Sequence, residues 1–372
     1  METKQTNNRL ESLDALRGFD MFFISGGAAL LVAIAAFFPD STVWQAIAKN
    51  MEHVPWDGLL HHDTIFPLFL FIAGISFPFS LKKQREKGKS ETAIYLKILR
   101  RGLILVFLGL VCSGFLKFEF ETLRWPSVLG RIGLAWMFAA FIFTATGKKL
   151  WPKLTTIVVI LIGYWLVSAF VHAPGVDPSI DPLTREGNIA CYIDRTLLGA
   201  HCYRPDYDPE GLFSTLPAIC TALLGMLTGV FVQRSKPTPG TALTILAAGV
   251  VFAVLGAAWN IIYPINKALW SSSFVLAVAG YSLIMFALFY YIIDVLGWRK
   301  WDLFFKVIGM NSILIYMAPR FIDFSKLNHR VFDGVFSLLP EQYYAVAENV
   351  GYILVLWLFM YFMYRQKVFL KV

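Results

Sequence analysis

Residues 64–81 read TIFPLFLFIAGISFPFSL, an apolar run that contains no charged side chain. A helix that crosses the hydrocarbon core of a bilayer needs roughly 20 predominantly apolar residues, which is close to the length of this run. A strand of a membrane β-barrel would instead alternate apolar and polar side chains. Because backbone groups in lipid must be hydrogen-bonded internally, we interpret the run as a transmembrane α-helix.

Comparable apolar runs recur along the whole chain. Hydrophobic residues make up 57% of the 372 residues and charged residues only 16%, whereas about 25% of the residues of a soluble domain are charged. The composition therefore predicts an all-α polytopic membrane protein with about ten transmembrane helices in a single domain over residues 1–372. The predicted helices cover residues 19–38, 64–81, 101–117, 127–146, 152–171, 211–232, 242–263, 270–294, 303–320 and 346–364.

The positive charges orient these helices. The net charge of +8 does not indicate nucleic-acid binding, because the basic residues lie between the apolar runs, where membrane topology requires them. With the N-terminus on the cytoplasmic side, every inside segment is basic, most of all residues 82–101. We therefore predict cytoplasmic N- and C-termini in a multi-pass protein embedded in the lipid bilayer of an inner (cytoplasmic) membrane.

Two predicted outer segments, about residues 39–63 and 172–210, are long enough to carry function. Their Trp, Tyr, Cys and His residues argue against disorder. Cys191 and Cys202 in the second segment would face an oxidising periplasm on this topology, so we predict a disulfide between them. The alternative is a pair of free thiols that pack as small apolar side chains.

Ionisable side chains cluster where the second predicted helix begins, and such residues at membrane depth tend to mark function. Histidine and carboxylate are good metal ligands. Adjacent histidines on a helix, however, point about 100° apart, and the spacing matches no metal motif, so we predict no metal site. Interfacial packing is the alternative to a catalytic role. The residues in this stretch are His53, Trp56, Asp57, His61, His62 and Asp63.

Arg131 lies near the outer end of the fourth predicted helix, against the positive-inside trend. A partner such as Asp57, Asp63 or Asp194 would explain its position structurally, and an anionic substrate would explain it functionally. Asp194 is followed directly by Arg195, and a simple ion pair is one interpretation of these two residues.

Three further polar or small-residue features lie at or within the later helices. Asp208, or the Pro209-Glu210 pair that follows it, suits the start of the sixth predicted helix, where acidic side chains complement the helix dipole. In that helix Gly225 and Gly229 have the GxxxG spacing that is typical of close helix packing. Asn311 and Ser312 in the ninth predicted helix suit either a polar contact between helices or a ligand path.

Short motifs occur in a definite order along the chain. They are SLDALRG at 12–18, HVPWDG at 53–58, DTIFPLFLFIAG at 63–74, VLGRIG at 128–133, YIDRTLLG at 192–199, DPEG at 208–211, PINKALW at 264–270 and GMNSILIY at 309–316. In this order they make the chain similar to the family of transmembrane acyltransferases typified by heparan-α-glucosaminide N-acetyltransferase and its bacterial relatives. Any single motif is weak, but the ordered set covers most of the chain and is specific.

The resemblance implies an acetyltransferase that takes acetyl-CoA as co-substrate from the cytoplasmic side and acetylates an amino-sugar acceptor on the far side. His53 falls on the position of the family's catalytic histidine, and we expect Asp57 or Asp63 to orient it. His61 and His62 depart from the residue types that the family has there. We expect substrate contacts from Trp56, Arg131, Asp194, Arg195, Asp208 and Lys267. We expect contacts to acetyl-CoA, with the basic residues on its phosphates, from Arg17, Lys97, Arg100, Arg101, Asn311 and Ser312.

Several alternatives stay open at the level of the sequence. His53 could act as a general base on the sugar amine or carry the acetyl group covalently. Arg17 could instead snorkel to the cytoplasmic surface. The rival functions are an amino-sugar transporter, which also needs a polar-lined membrane core, and a non-catalytic component of an envelope polysaccharide system. The identity of the acceptor is open, and so is a homodimer as the oligomeric state.

Overall fold

The computed structural model describes residues 10–370, and these residues form helices joined by loops. No β-strand occurs within this range, so the predicted all-α fold is confirmed. The helices, in chain order, are α1 Glu11–Phe22, α2 Ala28–Ala35, α3 Thr42–Asn50, α4 His61–Glu86, α5 Glu91–Cys112, α6 Val128–Ala145, α7 Trp151–Phe170, α8 Ile189–Leu198, α9 Thr215–Arg234, α10 Pro239–Trp259, α11 Ser272–Phe289, α12 Asp302–Gly309, α13 Ser312–Met317, α14 Phe324–Phe336 and α15 Glu341–Arg365.

Eight helical segments within residues 10–370 are long and apolar enough to cross a membrane, which confirms the predicted polytopic membrane protein. The first of them joins α1 to α2 through a π-helical turn in which Ser25 and Gly26 leave helical geometry. The side of the membrane on which each terminus lies stays a prediction. The segments are Glu11–Ala35, His61–Glu86, Val128–Ala145, Trp151–Phe170, Thr215–Arg234, Pro239–Trp259, Ser272–Val295 and Glu341–Arg365.

The other two predicted spans are not single apolar helices. The span predicted at 101–117 lies mostly in α5, which begins earlier and carries basic side chains in its central turns. The span predicted at 303–320 is divided between α12 and α13. The division falls at Asn311, which has non-helical backbone angles and whose side chain bonds the backbone of Val368 and Leu370. The basic residues of α5 are Lys97, Arg100 and Arg101.

Backbone contacts divide the chain into two compact units, each assembled from segments that are far apart in sequence. Within the described range, the first unit comprises residues 10–51, 237–246 and 284–370. The second unit comprises residues 52–236 and 247–283. The prediction of a single domain stays a prediction.

In the first unit, α1 packs closely against α12. Gly18 of α1 faces the backbone of Phe305, and Gly309 of α12 faces the backbone of Asp14. A side chain at either glycine would collide with the facing helix, so both positions require a residue without a Cβ atom. In the same unit α14 packs against α15.

In the second unit, α4 packs against α9, α5 against α6, and both α6 and α7 against α9. Gly225 of α9 lies against the backbone carbonyl of Phe71, and Gly229 lies against that of Ile75. The two helices can approach this closely because neither glycine carries a side chain. The prediction that the GxxxG spacing serves helix packing is confirmed.

We expect Gly225→Leu to destabilise the protein by roughly 1–3 kcal/mol, because the new side chain must displace the backbone of α4. Thermal unfolding of the purified protein in detergent measures the effect. Gly163→Leu is the matched control, since a Cβ atom added at Gly163 in α7 meets no other atom within 4 Å. An equal loss of stability in both variants would contradict tight packing of α4 on α9.

Candidate functional site

His53 and Asp63 form a hydrogen-bonded pair where α4 begins. His53 Nδ1 lies 2.7 Å from Asp63 Oδ1, and the Asp63 side chain is 1% exposed while that of His53 is 56% exposed. Asp63 lies in the first turn of α4, where its Oδ2 accepts the backbone N–H groups of Leu60 and Val54, both at 3.3 Å. A carboxylate at this position bonds a free N–H group of the helix start and complements the helix dipole. One side chain therefore both starts the helix and holds the histidine.

This pairing decides which imidazole nitrogen carries the hydrogen. An ionised carboxylate can only accept hydrogen bonds, so His53 Nδ1 donates to Asp63. In the neutral ring, Nε2 is then the nitrogen with an available lone pair. Because the ring is more than half exposed, a ligand can reach it. The pair thus presents a nitrogen that can take up a proton or attack an electrophilic carbon.

Lys267 joins this pair from the loop between α10 and α11. Its Nζ lies 3.3 Å from Asp63 Oδ1 and 3.2 Å from His53 Nδ1. Burial lowers the pKa of Lys267, and the negative charges of Asp63 and Glu210 oppose that shift. Asp63 Oδ1 accepts from both Lys267 and His53, so the buried carboxylate is fully hydrogen-bonded, as a buried charge must be. We call His53, Asp63 and Lys267 the histidine cluster.

Two motif stretches that are far apart in sequence meet at the histidine cluster. The N–H group of Gly58 donates to the carbonyl of Ile265 at 2.7 Å, and Asn266 Nδ2 donates to Asp57 Oδ1 at 3.1 Å. At the end of the second stretch, Trp270 is completely buried. Asp57 therefore links the two stretches through Asn266, and Asp63 is the aspartate that contacts the histidine.

The two histidines outside the family motif have different surroundings. The ring of His62 lies edge-on to His53 with 4.6 Å between centroids, whereas His61 lies against Tyr281 at 6.1 Å. Between residues 10 and 370, no group of three or more His, Cys, Asp and Glu side chains is arranged to hold a metal ion. His62 is a direct neighbour of His53. Its sequence, which departs from the family motif, did not indicate this contact.

Arg131 is buried at the start of α6, with 2% of its surface exposed. Its Nη2 donates to the carbonyl of Gly211 at 2.9 Å and to the Ser214 hydroxyl. The guanidinium also lies over the ring of Trp270, 5.1 Å from the centroid. These hydrogen-bond partners differ from the three aspartates proposed from the sequence, and the buried Nε and Nη1 of Arg131 have no hydrogen-bond partner within residues 10–370.

Asp208 is held by Arg124, a residue that the sequence analysis did not single out. Arg124 donates to both carboxylate oxygens of Asp208, at 2.9 and 2.5 Å, and also contacts Glu210. Asp208 further accepts the N–H group of Tyr203 at 2.7 Å and lies ahead of the first turn of α9 rather than in it. A usable signal was present, because Arg124, like Arg131, is basic on the predicted outer side.

Trp56 contributes to a small core of the second outer segment. Its Nε1 donates to the carbonyl of Leu183 at 3.0 Å, and its ring lies edge-on to Tyr207 at 5.5 Å. The guanidinium of Arg185 lies over the Trp56 ring, 5.0 Å from the centroid. These contacts occupy the indole with protein partners and fix the loop that carries His53.

Asp194 and Arg195 bind different groups, so the predicted simple ion pair between them is wrong. Asp194 is buried, and its Oδ1 accepts the N–H group of Leu212 at 2.8 Å. Arg195 Nη1 donates to the carbonyls of Arg185 and Asp206, at 3.1 and 3.2 Å. On a helix, adjacent side chains point in different directions, which separates the two groups.

The predicted disulfide is also wrong, because Cys191 and Cys202 are both free thiols. Cys191 is buried in an apolar cluster with Ala190 and Leu269. Cys202 Sγ lies 3.4 Å from the carbonyl of Asp194 as a weak donor. Burial raises the pKa of the Cys191 thiol to about 12, so it is protonated and packs as a small apolar side chain.

The residues predicted to contact acetyl-CoA lie in both units. In the first unit, Arg17 pairs with Asp14 at 3.3 Å, and Asn311 and the buried Ser312 lie where α12 gives way to α13. In the second unit, Lys97 and Arg100 are exposed on α5. Arg101, one position further along the same helix, lies over the ring of Trp136, 4.2 Å from the centroid.

Comparison with known proteins confirms the resemblance found in the motifs. Residues 9–171 match the model of a domain of unknown function, DUF5009. Over its full length the chain is 27% identical to heparan-alpha-glucosaminide N-acetyltransferase of Mus musculus, and over 98% of its length it is 26% identical to the Homo sapiens protein of the same name. It covers 62% and 60% of these two relatives. The chain thus spans about three fifths of the length of the curated relatives it matches.

We expect the stability of the protein to depend on the ionisation of Asp194. Burial raises the pKa of this carboxyl from 3.8 to about 7. At a pH between these two values, the folded protein holds a proton on Asp194 that the unfolded chain has lost. The contribution is complete at low pH and disappears as the pH rises through the folded value, which should cost roughly 1–3 kcal/mol between about pH 5 and about pH 8. Thermal unfolding at these two pH values measures it.

Asp194→Asn should remove this pH dependence, because the amide oxygen can still accept from Leu212 but cannot ionise. Asp40→Asn changes an exposed carboxylate and should leave the pH dependence of the unmodified protein in place. An identical slope in the unmodified protein and Asp194→Asn would show that Asp194 does not carry the effect.

Proposed function

We propose that the protein is a membrane-embedded acetyltransferase. It moves the acetyl group of cytoplasmic acetyl-CoA to the amine of a glucosamine-type sugar on the periplasmic side of the bacterial inner membrane. The observation that carries the proposal is the histidine cluster, in which a buried carboxylate holds an accessible imidazole in one tautomer. The names of the relatives, N-acetyltransferases acting on an amino sugar, support the same chemistry.

The reaction requires a group that manages one proton. The amine nitrogen forms a bond to the carbonyl carbon, the carbon–sulfur bond breaks, the amine loses a proton and the leaving thiolate gains one. His53 Nε2 accepts the proton from the amine as the bond forms, and the resulting imidazolium then gives it to the thiolate. General-base catalysis of this kind contributes about 10²–10⁴-fold.

The same nitrogen has a second available route. In this route Nε2 attacks the thioester carbonyl, coenzyme A leaves as the thiolate, and the sugar amine then takes the acetyl group from the imidazole. Incubation with [¹⁴C]acetyl-CoA in the absence of acceptor separates the routes. Label retained on the protein through His53 indicates the covalent route, and its absence indicates direct transfer.

Asp63 and Lys267 support His53 in either route. Asp63 fixes the Nδ1–H tautomer and stabilises the imidazolium that forms, which is the role of the third group in a catalytic triad. Lys267 balances the charge of Asp63. A cationic Lys267 also favours the neutral form of an arriving sugar amine, which is the nucleophile, while the charge of Asp63 offsets the same repulsion on the imidazolium.

The remaining predicted substrate residues hold the outer segments together. The side chains of Trp56, Arg131, Asp194, Arg195 and Asp208 are bonded to other parts of the protein, as described above. We propose that these five residues shape the acceptor site, and that Lys267 lies next to the reacting atoms.

Acetyl-CoA carries phosphate groups, which basic side chains bind. Lys97 and Arg100 fit this requirement because both are exposed on α5. We assign the nucleotide end to these two residues together with Arg101 of the same helix. When bound, acetyl-CoA supplies the activated acetyl group.

We expect His53→Ala to lower turnover by at least about a hundredfold, because the general base or acetyl carrier is removed. Transfer from labelled acetyl-CoA to glucosamine by the purified protein measures it. The exposed His53 side chain contributes little to packing, so the variant should keep its thermal unfolding temperature and its affinity for acetyl-CoA.

His61→Ala is the matched control, since this histidine packs against Tyr281 rather than His53, and it should have a milder effect. His62→Ala should fall between the two because its ring contacts His53. Near-normal turnover in folded His53→Ala would refute the catalytic role. Flux of glucosamine into vesicles without any need for acetyl-CoA would support a transporter instead.

A further inference from the structure

A cavity of about 770 Å³ opens among α5, α6, α8 and the loop that joins α5 to α6. This volume is within the range of about 300–1,000 Å³ that small-molecule sites occupy. Most of its lining is apolar, including Val106 and Leu110 of α5, Phe115 and Phe120 of the loop, and Leu134 of α6. The histidine cluster does not line it, so it is a separate feature of the second unit.

Exposed apolar side chains lie on the helix and in the loop that line the cavity. Val106 and Leu110 lie in α5, and the neighbouring Leu103 and Phe107 on this helix are 53% and 51% exposed. In the loop above, Phe118 is 70% exposed. An exposed apolar surface of this kind suits contact with a membrane, and it offers a hydrocarbon chain an apolar approach to the cavity.

The polar part of the lining lies toward the acceptor site. Glu210 and Thr215 lie just before and at the start of α9, and Arg131 at the start of α6. The guanidinium of Arg131 lies over the ring of Trp270, 5.1 Å from the centroid. Trp270 ends the 264–270 stretch that carries Lys267, and Lys267 Nζ lies 3.2 Å from His53 Nδ1. One short stretch of chain therefore lies between the polar end of the cavity and the histidine cluster.

The side chains of this polar part suit a hydroxylated ligand. Glu210 and Glu121 can accept hydrogen bonds from hydroxyl groups. Arg131, whose Nη2 donates to Gly211 and Ser214, has its buried Nε and Nη1 without a partner among the described residues. Trp125 is stacked on His201, with 4.0 Å between centroids and 9° between planes. Trp125 is 49% exposed, and a flat aromatic face of this kind suits the apolar face of a sugar ring.

We propose that this cavity holds the hydrocarbon chain of a lipid-linked amino sugar, which is the acceptor. The chain lies among the apolar residues of α5, α6 and the connecting loop, and the sugar extends along the polar lining toward His53. The inference rests on the proposed acetyltransferase function, and it specifies the acceptor as a membrane amphiphile rather than a free sugar.

The experiment compares dodecyl glucosaminide with free glucosamine as acceptors of acetyl from acetyl-CoA. The protein is placed in phosphatidylcholine nanodiscs, so that no alkyl detergent competes for the cavity. In the unmodified protein we expect a KM for dodecyl glucosaminide at least about tenfold lower than for glucosamine, because the buried chain adds apolar contact. Octyl glucosaminide should fall between the two.

Leu110→Trp fills part of the cavity and should raise the KM for dodecyl glucosaminide about tenfold, with the kinetics for free glucosamine unchanged. Leu103→Trp is the matched control, since Leu103 is exposed on the same helix and does not line the cavity. Equal kinetics with and without the chain in the unmodified protein would overturn the proposal. The proposal would also be overturned if the KM for dodecyl glucosaminide stayed equally low in Leu110→Trp, because the lower KM would then reflect partition of the acceptor into the bilayer.

Direct binding separates this proposal from the proposed function. Tritiated dodecyl glucosaminide should bind the unmodified protein and Leu103→Trp, and it should bind Leu110→Trp at least about tenfold more weakly. If this binding pattern holds while no acetyl is transferred to either acceptor, the function fails and the chain site stands. If acetyl is transferred but dodecyl glucosaminide binds Leu110→Trp as tightly as the unmodified protein, the chain site fails and the function stands.

Discussion

The buried carboxylate of Asp63 is the group on which the rest of the site depends. Only 1% of its side chain is exposed, and a buried charge is stable only when its lone pairs are hydrogen-bonded. Its partners come from three places: the loop that carries His53 and Val54, the helix start at Leu60, and Lys267. Satisfying one charge thus fixes the imidazole tautomer, the beginning of α4 and the position of the 264–270 stretch at once.

The helices keep this arrangement rigid. α4 carries Asp63 in its first turn and packs along α9, where Gly225 allows the two backbones to touch. Trp270, completely buried, packs its ring 5.0 Å from that of Phe66 in the next turn of α4 and donates from Nε1 to Thr221 in α9. The stretch that supplies Lys267 is therefore anchored to the same two helices as Asp63, which holds the donor and the acceptor at hydrogen-bond distance.

Much of the fold could be predicted from the sequence, because apolar length and basic flanks are local properties. The misjudged spans, α5 and the pair α12–α13, follow from local features too, the basic residues within α5 and the polar Asn311. The contacts within the site were harder to predict than the fold. Asp57 and Asp63 are equally plausible partners of His53 by sequence, and only the chain path shows that Asp57 binds Asn266. The same holds for Arg124 and Asp208, which lie far apart in sequence and meet in space.

The turnover of Asp63→Asn against that of Asp57→Asn tests the account most directly. Both substitutions remove one carboxylate charge from the same short segment, but only Asp63 contacts His53. At saturating acetyl-CoA and acceptor, we expect Asp63→Asn to lose at least about a hundredfold in kcat, because the imidazole loses its fixed tautomer and its counter-charge. Asp57→Asn should lose less than about tenfold, because the amide can still bond Asn266. Equal losses in the two variants, or the larger loss in Asp57→Asn, would contradict the assignment of Asp63 as the residue that holds His53.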